Sequence, residues 1–309
     1  MSAAGQIEVV AVGVCGSDVQ RLRAGFDVRS LGHEVVGRGP DGQLLAVRPL
    51  NPCRSCPACA RGWTEQCPND ASIGRFDTRD GGFSGRVRVT SGQLYPIPER
   101  LPVTVATLAD PLACVLHALH DIAIEGVNVL IIGDGPLAAL AAIHARHRAA
   151  AQVTIVVKDG GRTERMSGFA DSVATADAMA EAQYDVVLES VGGISSEPIL
   201  TAVTAVAPLG QVVALGVYAP NVAAGIPVRT LLEKESSLRG SKAYRVNDDR
   251  DDFAAALDLL AIDPRAYAPV ITSTPSWSPH GPQPPVLERR THTLKIVYVN
   301  EPATARRLT

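Results

Sequence analysis

Four cysteines lie close together in the segment NPCRSCPACARGWTEQC, residues 51–67, with the spacing C-x2-C-x2-C-x7-C. Thiolates at this spacing can converge on one tetrahedral zinc ion. A disulfide or unrelated thiol cluster is the alternative, but no secretory signal opens the chain, and a reducing cytoplasm favours metal-bound thiolates. Four protein ligands leave zinc no position for a substrate. The spacing therefore predicts a structural zinc site at Cys53, Cys56, Cys59 and Cys67.

A glycine-rich turn, GDGPLA at 133–138, joins the apolar run VNVLIIG to the alanine-rich run PLAALAAIHARHR. A turn between a buried strand and a helix lets the backbone approach a dinucleotide pyrophosphate, which the helix N-terminus favours electrostatically. The carboxylate of Asp134 would repel a phosphate, so we expect it to face away. The sequence thus predicts a dinucleotide-binding turn here.

The following strand, VTIVV, ends at Lys158, where an NAD site usually has an acidic residue that binds the ribose 2′-hydroxyl. Lys158, with Arg162 and Arg165 close behind, favours the 2′-phosphate of NADP(H). The alternative is a solvated loop in which Asp159 binds the ribose of NAD. The predicted cofactor contacts are Gly133, Gly135, Pro136, Leu137, Lys158, Arg162, Arg165, Ser190, Val191, Leu215, Gly216 and Val217.

Three short motifs in the first 120 residues carry further reactive groups. VGVCGSDV holds Cys15 and Ser17, LGHEVVG holds His33 and Glu34, and ADPLACVLHAL holds Asp110. A lone buried cysteine or histidine usually serves packing only. A predicted structural zinc and a predicted nucleotide turn in the same chain favour a ligand role instead.

Length and composition indicate a globular protein of two domains. The chain has 309 residues, of which 46% are hydrophobic and 20% charged, and a formal net charge of -3. This charge gives no electrostatic basis for binding nucleic acid or an anionic membrane. The longest apolar runs are of strand length and too short to span a bilayer.

These groups need a scaffold that positions them. The hydrophobic pattern predicts a scaffold with two different sheets. Before residue 110 the strands are short: IEVVAVGV, HEVVGR, QLLAVRPL and FSGRVRVT. After residue 128, strands alternate with helices. A helical region at 162–182 is followed by the strand YDVVLE, the helix SEPILTAVTAV and the strand GQVVALGV. A helix at DDFAAALDLLA, a proline-rich loop at 273–285 and a last strand, THTLKIVYV, complete the chain.

The motifs occur in the order found in zinc-dependent medium-chain dehydrogenase/reductases, the superfamily of alcohol and polyol dehydrogenases. CGSD, GHEVVG, the four-cysteine segment, GGFSGRVRV, DPLACVLHAL and GDGPLAALAA carry the resemblance, and ESVGG, LGQVVALGVY and SSLRGSKAYR extend it over nearly the whole chain. It implies an α/β fold in which a Rossmann doubly wound parallel sheet is inserted in a β-rich GroES-like catalytic domain. We expect a catalytic domain at 1–111, a Rossmann domain at 112–262 and a return to the catalytic domain at 263–309.

The resemblance also implies roles for the reactive groups. Cys15 and His33 would bind a catalytic zinc, Asp110 would occupy or approach the third ligand position, and Glu34 would be a direct or exchanging ligand. Ser17 would relay the substrate proton. Such a zinc keeps one position open for a substrate oxygen, which it polarises as a Lewis acid.

The chain also departs from the family pattern. Only fourteen residues precede Cys15, a short hairpin, GPDGQLL, replaces a longer segment, and the proline-rich tract replaces a helix. These changes affect the domain that shapes the substrate pocket. We expect a cytoplasmic zinc-dependent oxidoreductase of a secondary alcohol or ketone, polyol-, sugar- or cyclitol-like, that forms a homodimer or homotetramer. An NAD-dependent polyol dehydrogenase and a non-catalytic nucleotide-binding protein are the alternatives.

Overall fold

The computed structural model describes residues 5–74, 81–178, 183–279 and 293–300. The chain divides into two compact units: the first combines Met1–Ala113 with Tyr244–Thr309, and the second is Cys114–Ala243. The second unit is thus inserted between two parts of the first. The domain boundary expected after residue 262 lies after Ala243 in this division. Among the described residues, no helix has the length and apolar character needed to cross a membrane.

The first part of the first unit consists mainly of short strands. Its elements are β1 (Gly5–Gly13), α1 (Gly16–Arg23), β2 (Glu34–Arg38), β3 (Leu44–Val47), α2 (Pro57–Ala60), β4 (Arg86–Val89), β5 (Leu94–Pro96) and α3 (Val103–Ala106). Helix α4 (Ala109–Leu119) begins here and continues into the second unit. Period-two alternation is clear in β4, where Val87 and Val89 are buried while Arg86 and Arg88 are exposed.

The second unit alternates strands with helices, as predicted. Its elements are β6 (Asn128–Ile132), α5 (Pro136–His147), β7 (Gln152–Val157), α6 (Thr163–Met166), β8 (Ser172–Thr175), β9 (Tyr184–Glu189), α7 (Glu197–Ala205), β10 (Val206–Ala214), α8 (Val228–Glu233) and β11 (Ser237–Gly240). The strands pair in parallel in the order β11-β10-β9-β6-β7-β8. This order confirms the doubly wound sheet, with its topological switch point between β6 and β9.

The helical region predicted at 162–182 is wrong in its second half. Helix α6 covers only Thr163–Met166, and the chain then forms β8, which pairs in parallel with β7. Strand β8 is only half-buried along its length, so it lacks the apolar run by which strands are detected in a sequence. Residues 179–182 lie outside the described residues.

The second part of the first unit returns to the first sheet. Its elements are α9 (Asp252–Ile262), α10 (Pro264–Tyr267), β12 (Ile271–Ser273), β13 (Ser276–Trp277) and β14 (Lys295–Asn300). Within the described residues the sheet runs β12-β14-β1-β2-β3-β5, with β13 paired to β14 and β4 paired to β1. Strand β14, from the end of the chain, therefore lies beside β1, from its beginning.

The tract at 273–285 was predicted as a loop without regular structure, which is wrong at its start. Ser276–Trp277 form β13. A proline lacks the amide donor but keeps its carbonyl, and the carbonyl of Pro275 accepts the Val299 amide at 3.0 Å. The Trp277 side chain is buried. The Trp277 ring lies edge-on to Phe83, with 6.0 Å between the centroids. Residues 280–285 lie outside the described residues.

Asp251 explains why α9 belongs to the first unit. One carboxylate oxygen accepts the amides of Phe253 and Ala254, at 3.1 and 2.9 Å, and so caps the helix. The other accepts the Tyr95 hydroxyl at 2.7 Å, and the Tyr95 ring lies 4.9 Å from that of Phe253. The cap of α9 is therefore bonded to β5.

Replacing Asp251 by alanine should destabilise the first unit by about 1–3 kcal/mol, because it removes a helix cap and leaves the partly buried Tyr95 hydroxyl without its acceptor. For a unit of this size, each kcal/mol corresponds to a fall in thermal midpoint of roughly 2–4 °C. Calorimetry of Asp251→Ala would measure it. Asp258→Ala, on the exposed face of the same helix, is the control, and equal midpoints for the two variants would contradict the capping role.

Candidate metal centres and the nucleotide-binding turn

Cys15, His33 and Glu34 form a compact cluster in the first unit. One potential ligand atom from each lies within 4.8 Å of the other two. The pairing of β1 with β2 creates this proximity: Gly13, at the end of β1, is opposite Glu34, at the start of β2. Cys15 just after one strand and His33 just before the other therefore meet at the same edge of the sheet. Three of the four ligands predicted for a catalytic zinc thus lie close together.

Asp18 orients two members of the cluster, and sequence reasoning gave it no role beyond its place in the CGSD motif. It is fully buried, and its carboxylate accepts the Cys15 amide at 2.9 Å and the Gly32 amide at 3.1 Å. The same carboxylate lies 3.4 Å from Nδ1 of His33. Burial alone would raise the Asp18 pKa, but the charge of His33 and these hydrogen bonds hold it below its usual value. A carboxylate on one imidazole nitrogen is the usual partner of a metal-binding histidine.

Asp110 lies on the other side of His33. Its Oδ2 is 3.7 Å from Nε2 of His33, while its Oδ1 accepts the Tyr244 hydroxyl at 2.8 Å. Ligand atoms of one tetrahedral zinc are about 3.3–3.8 Å apart, as follows from zinc bond lengths. Asp110 therefore has one oxygen at a ligand-like separation from His33, although it lies outside the cluster that Glu34 forms with Cys15 and His33.

Glu34 is paired with Lys295, a contact that the sequence motifs did not indicate. The Lys295 ammonium contacts Oε2 of Glu34, and both side chains are almost completely buried. Burial raises the Glu34 pKa, while the charges of Lys295 and His33 act in the opposite direction. Lys295 begins β14, which pairs with β1, so the sheet itself brings this cation to the cluster.

The chemistry of the cluster fits a metal ion. Burial alone would raise the Cys15 pKa, but contact with His33 lowers it below its usual value and so favours the thiolate. A buried thiolate beside carboxylates requires a compensating cation. Thiolate, imidazole and carboxylate are together a zinc-binding set. Ser17 lies in the first turn of α1 and is half-buried, and no hydrogen bond of its hydroxyl is described.

The four predicted cysteines also converge. Their sulfur atoms all lie within 4.8 Å of one another, in Cys53, Cys56, Cys59 and Cys67. The Sγ atoms of Cys53 and Cys67 are 3.5 Å apart. None of the six cysteines forms a disulfide, and these separations exceed a disulfide bond. Hydrogen bonds from Ser55 lower the Cys53 pKa to about 5, while burial and the neighbouring thiols raise the Cys59 pKa to about 12. The four thiols can lose their protons together only around a cation, and their convergence can hold a zinc ion. We call residues 51–67 the cysteine lobe.

The cysteine lobe is tied to the segment that opens the second part of the unit. Glu65 forms an ion pair with Arg245 at 2.7 Å, and Thr64 Oγ1 accepts the Val246 amide at 3.0 Å. The Asn247 side chain donates to the carbonyl of Gly62 at 2.9 Å. We call residues 244–247 the strap.

In the second unit, the glycine-rich turn lies at the switch point of the sheet. Gly133 follows β6 with φ of 139°, and a Cβ there would be 2.5 Å from Oγ of Ser190, which follows β9. Gly135 caps α5, and Pro136 and Leu137 form its first turn. The backbone is therefore open where a dinucleotide can approach a helix N-terminus.

Glu189, at the end of β9, connects the loops that hold the remaining predicted cofactor residues, and the motifs did not identify it. Its buried carboxylate accepts the amides of Val191 and Gly192, at 2.6 and 2.8 Å. Its backbone carbonyl accepts the amides of Leu215 and Gly216, at 2.8 and 3.1 Å. Val191 and Val217 are exposed, whereas the Leu215 side chain is buried and can contribute only its backbone.

The three cations predicted to bind a 2′-phosphate differ in their contacts. Arg162 forms an ion pair with Asp134 at 2.8 Å, and Arg165 donates to the carbonyl of Asp134 at 2.9 Å. Hydrogen bonding to Asp134 raises the Arg162 pKa. Asp134 thus faces the arginines. Lys158 is exposed, and no ion pair of it is described.

Known proteins are similar to this chain in both sequence and fold. Residues 4–99 match the alcohol dehydrogenase GroES-like domain family. The chain is 28% identical to L-idonate 5-dehydrogenase (NAD(P)(+)) of Escherichia coli over 283 residues, covering 82% of this chain and 80% of that protein. It is 34% identical to galactitol 1-phosphate 5-dehydrogenase of Escherichia coli over 150 residues, 44% of this chain and 43% of that protein.

Among solved structures, one from Sinorhizobium meliloti 1021, described as a zinc-binding dehydrogenase bound to NADP, superimposes with a TM-score of 0.85 at 25% identity. The match covers 96% of this chain and 92% of that one. Family, relatives and fold all agree with the resemblance predicted from the order of the motifs. Residues 4–99 thus belong to the alcohol dehydrogenase GroES-like domain family, and the whole chain is similar in sequence and fold to zinc-type alcohol and polyol dehydrogenases.

Proposed function

We propose that this protein transfers a hydride between NADP(H) and a secondary alcohol or ketone of the polyol, sugar or cyclitol class, with one catalytic and one structural zinc. The convergence of Cys15, His33, Glu34 and Asp110 at one edge of the first sheet carries the proposal. Three kinds of zinc ligand meet there in a buried position, whereas a protein that only binds a nucleotide has no use for them.

Cys15, His33 and Asp110 would hold the catalytic zinc, with Glu34 as an alternate ligand. The Glu34 carboxylate already has a full positive charge in contact, because Lys295 is paired with it. Asp110 has a neutral hydroxyl on one oxygen and an oxygen facing His33. This difference supports Asp110 as the resting ligand, since a carboxylate neutralised by a lysine gains less from a second cation.

When bound, zinc supplies a Lewis acid for the substrate oxygen, and the dinucleotide supplies or accepts the hydride. Asp18 would keep Nδ1 of His33 engaged, so that Nε2 is the nitrogen presented to the metal. Ser17, two residues after Cys15, would carry the substrate proton toward solvent. Burial of the cluster excludes water that would compete with the substrate oxygen.

The dinucleotide would bind at the switch point of the second sheet. The Gly133–Gly135 turn and the first turn of α5 would receive the pyrophosphate, and Lys158 would meet the 2′-phosphate, with Arg162 and Arg165 contributing beside it. Exposure of Lys158 and the structural likeness to an NADP-bound dehydrogenase support NADP(H). The alternative, an NAD-dependent enzyme, would use Asp159 for the ribose.

The substrate class rests on the relatives. Their names give L-idonate, galactitol 1-phosphate and D-altritol as substrates, all polyhydroxylated chains. A reducing, cytoplasmic location is part of the proposal, because the four converging thiols of the cysteine lobe can bind zinc only when they are reduced. The proposal also includes a homodimer or homotetramer, and analytical sedimentation would measure the mass of the assembly.

His33→Ala should abolish turnover and remove the catalytic zinc while leaving the zinc of the cysteine lobe. Turnover would be followed at 340 nm with a panel of polyols, sugar acids and ketones, and zinc by elemental analysis. His120→Ala, an exposed histidine, is the control and should keep both metals. Wild-type protein with zinc only in the cysteine lobe, and no turnover on the panel, would favour a non-catalytic nucleotide-binding protein.

Cys56→Ser should lower the thermal midpoint or the yield of soluble protein while leaving cofactor affinity unchanged in the folded fraction. Structural zinc contributes roughly 10–16 kcal/mol in small peptide modules, of which only a part should appear as global stability in a large chain. Cys114→Ser, outside both cysteine sites, is the comparison. A variant that is fully stable but inactive would mean that the lobe is not structural.

Lys158→Ala should weaken NADPH binding by roughly tenfold to a hundredfold, because a charge-assisted hydrogen bond to the 2′-phosphate is worth about 1.5–3 kcal/mol. NADH lacks this phosphate and should bind as before. Calorimetric titration of both cofactors into both proteins measures this. Tighter binding of NADH than of NADPH to the wild type would reject NADP(H) and assign the ribose to Asp159.

A further inference from the structure

The phenol of Tyr244 is placed to control the orientation of Asp110. Its side chain is 1% exposed, and its hydroxyl donates to Oδ1 of Asp110 at 2.8 Å. The ring packs against Phe253, with 6.0 Å between the centroids. The hydroxyl therefore meets the carboxylate from a fixed position inside the first unit.

This hydrogen bond decides which oxygen of Asp110 remains for a metal. With Oδ1 bonded to Tyr244, Oδ2 is the oxygen that faces Nε2 of His33, at 3.7 Å. A carboxylate that is free to rotate would have to lose that freedom on binding, whereas one already held by a donor does not. Partners of this kind in the shell around the ligands typically contribute about 10–100-fold to metal affinity.

The backbone around Tyr244 is fixed by contacts of its own. Tyr244 is the first residue of the strap, whose next residues bond to the cysteine lobe through Glu65 and Thr64. The Arg245 amide also donates to Asp252 at 2.8 Å, which joins the strap to α9. The position of the hydroxyl is thus set by two neighbouring elements and does not depend on Asp110.

We propose that Tyr244 is a positioning residue for the catalytic zinc, acting through Asp110. The proposal rests on the function proposed above, because it takes Asp110 as a zinc ligand. It goes beyond that function by adding a residue, distant in sequence from every metal-binding motif, that determines how strongly the ion is held.

Tyr244→Phe removes one oxygen atom and keeps the buried ring. The chain offers a matched control in Tyr95→Phe, since Tyr95 also donates a phenol hydroxyl to an aspartate of the same unit, Asp251, at 2.7 Å. Both variants lose a partly buried hydrogen bond to an aspartate, and Tyr95→Phe also removes the acceptor of Arg48, 2.8 Å from the Tyr95 hydroxyl. Tyr95→Phe is therefore the more severe change, and only the bond of Tyr244 reaches the metal cluster. A general loss of stability should therefore appear in both, and a loss of zinc affinity only in Tyr244→Phe.

The experiment is a competition between the zinc-loaded protein and a chromogenic chelator, which separates the two ions of each subunit by their affinity. Tyr244→Phe should hold the catalytic zinc about 10–100-fold more weakly than the wild type, with the cysteine-lobe zinc unchanged. Tyr95→Phe should match the wild type at both sites. The absorption spectrum of the cobalt-substituted protein should shift in Tyr244→Phe alone, which reports ligand geometry without turnover.

Asp110→Asn distinguishes failure of the proposed zinc site from failure of the proposed role of Tyr244. If Asp110→Asn retains zinc as the wild type does, Asp110 is not a ligand and the proposed zinc site is wrong. If Asp110→Asn loses zinc but Tyr244→Phe holds it as tightly as the wild type, the positioning role of Tyr244 is overturned. Equal weakening in Tyr244→Phe and Tyr95→Phe would also overturn it, because the effect would then be one of stability.

Discussion

Buried negative charge at one edge of the first sheet is the constraint on which the rest of the unit depends. The Cys15 thiolate and the carboxylates of Asp18, Glu34 and Asp110 lie within a few ångströms of a single imidazole. Each of these groups would be costly to bury alone. Each of the three carboxylates has a partner of its own: two backbone amides donate to Asp18, Lys295 pairs with Glu34, and the Tyr244 hydroxyl donates to Asp110. The Cys15 thiolate lies beside His33, and a metal cation bound by both would compensate the remaining negative charge.

The sequence predicted the parts of this arrangement that are local in the chain. Short motifs identified Cys15, His33 and Glu34, and antiparallel pairing of β1 with β2 brings them together. The cysteine lobe was predictable for the same reason, since its four thiols lie within one short segment. Alternating strands and helices likewise predicted the parallel sheet of the second unit, which the strand order confirms.

What the sequence did not predict depends on contacts between distant segments. Lys295 and Tyr244 look like an ordinary strand residue and an ordinary core residue until β14 and the strap bring them to the cluster. Arg162 and Arg165 were expected to be available to a phosphate, but their contacts with Asp134 could not be read from a loop of mixed charge. The apolar pattern of helix α9 did not show to which unit it belongs, and its contacts with Tyr95 and Tyr244 assign it to the first.

The discontinuity of the first unit has a consequence for the order in which the protein can be made. Strand β1 is paired with β14, and the cysteine lobe is bonded to the strap, so both need residues from beyond the inserted unit. During synthesis from the N-terminus, residues 114–243 are complete before either partner exists, and all the described strands of their sheet lie within that range. The inserted unit can thus fold while the first sheet still has an open edge at β1, which is a template for wrong pairing until β14 arrives. The contacts that Lys295 and Tyr244 make with Glu34 and Asp110 can form only after the inserted unit has been synthesised.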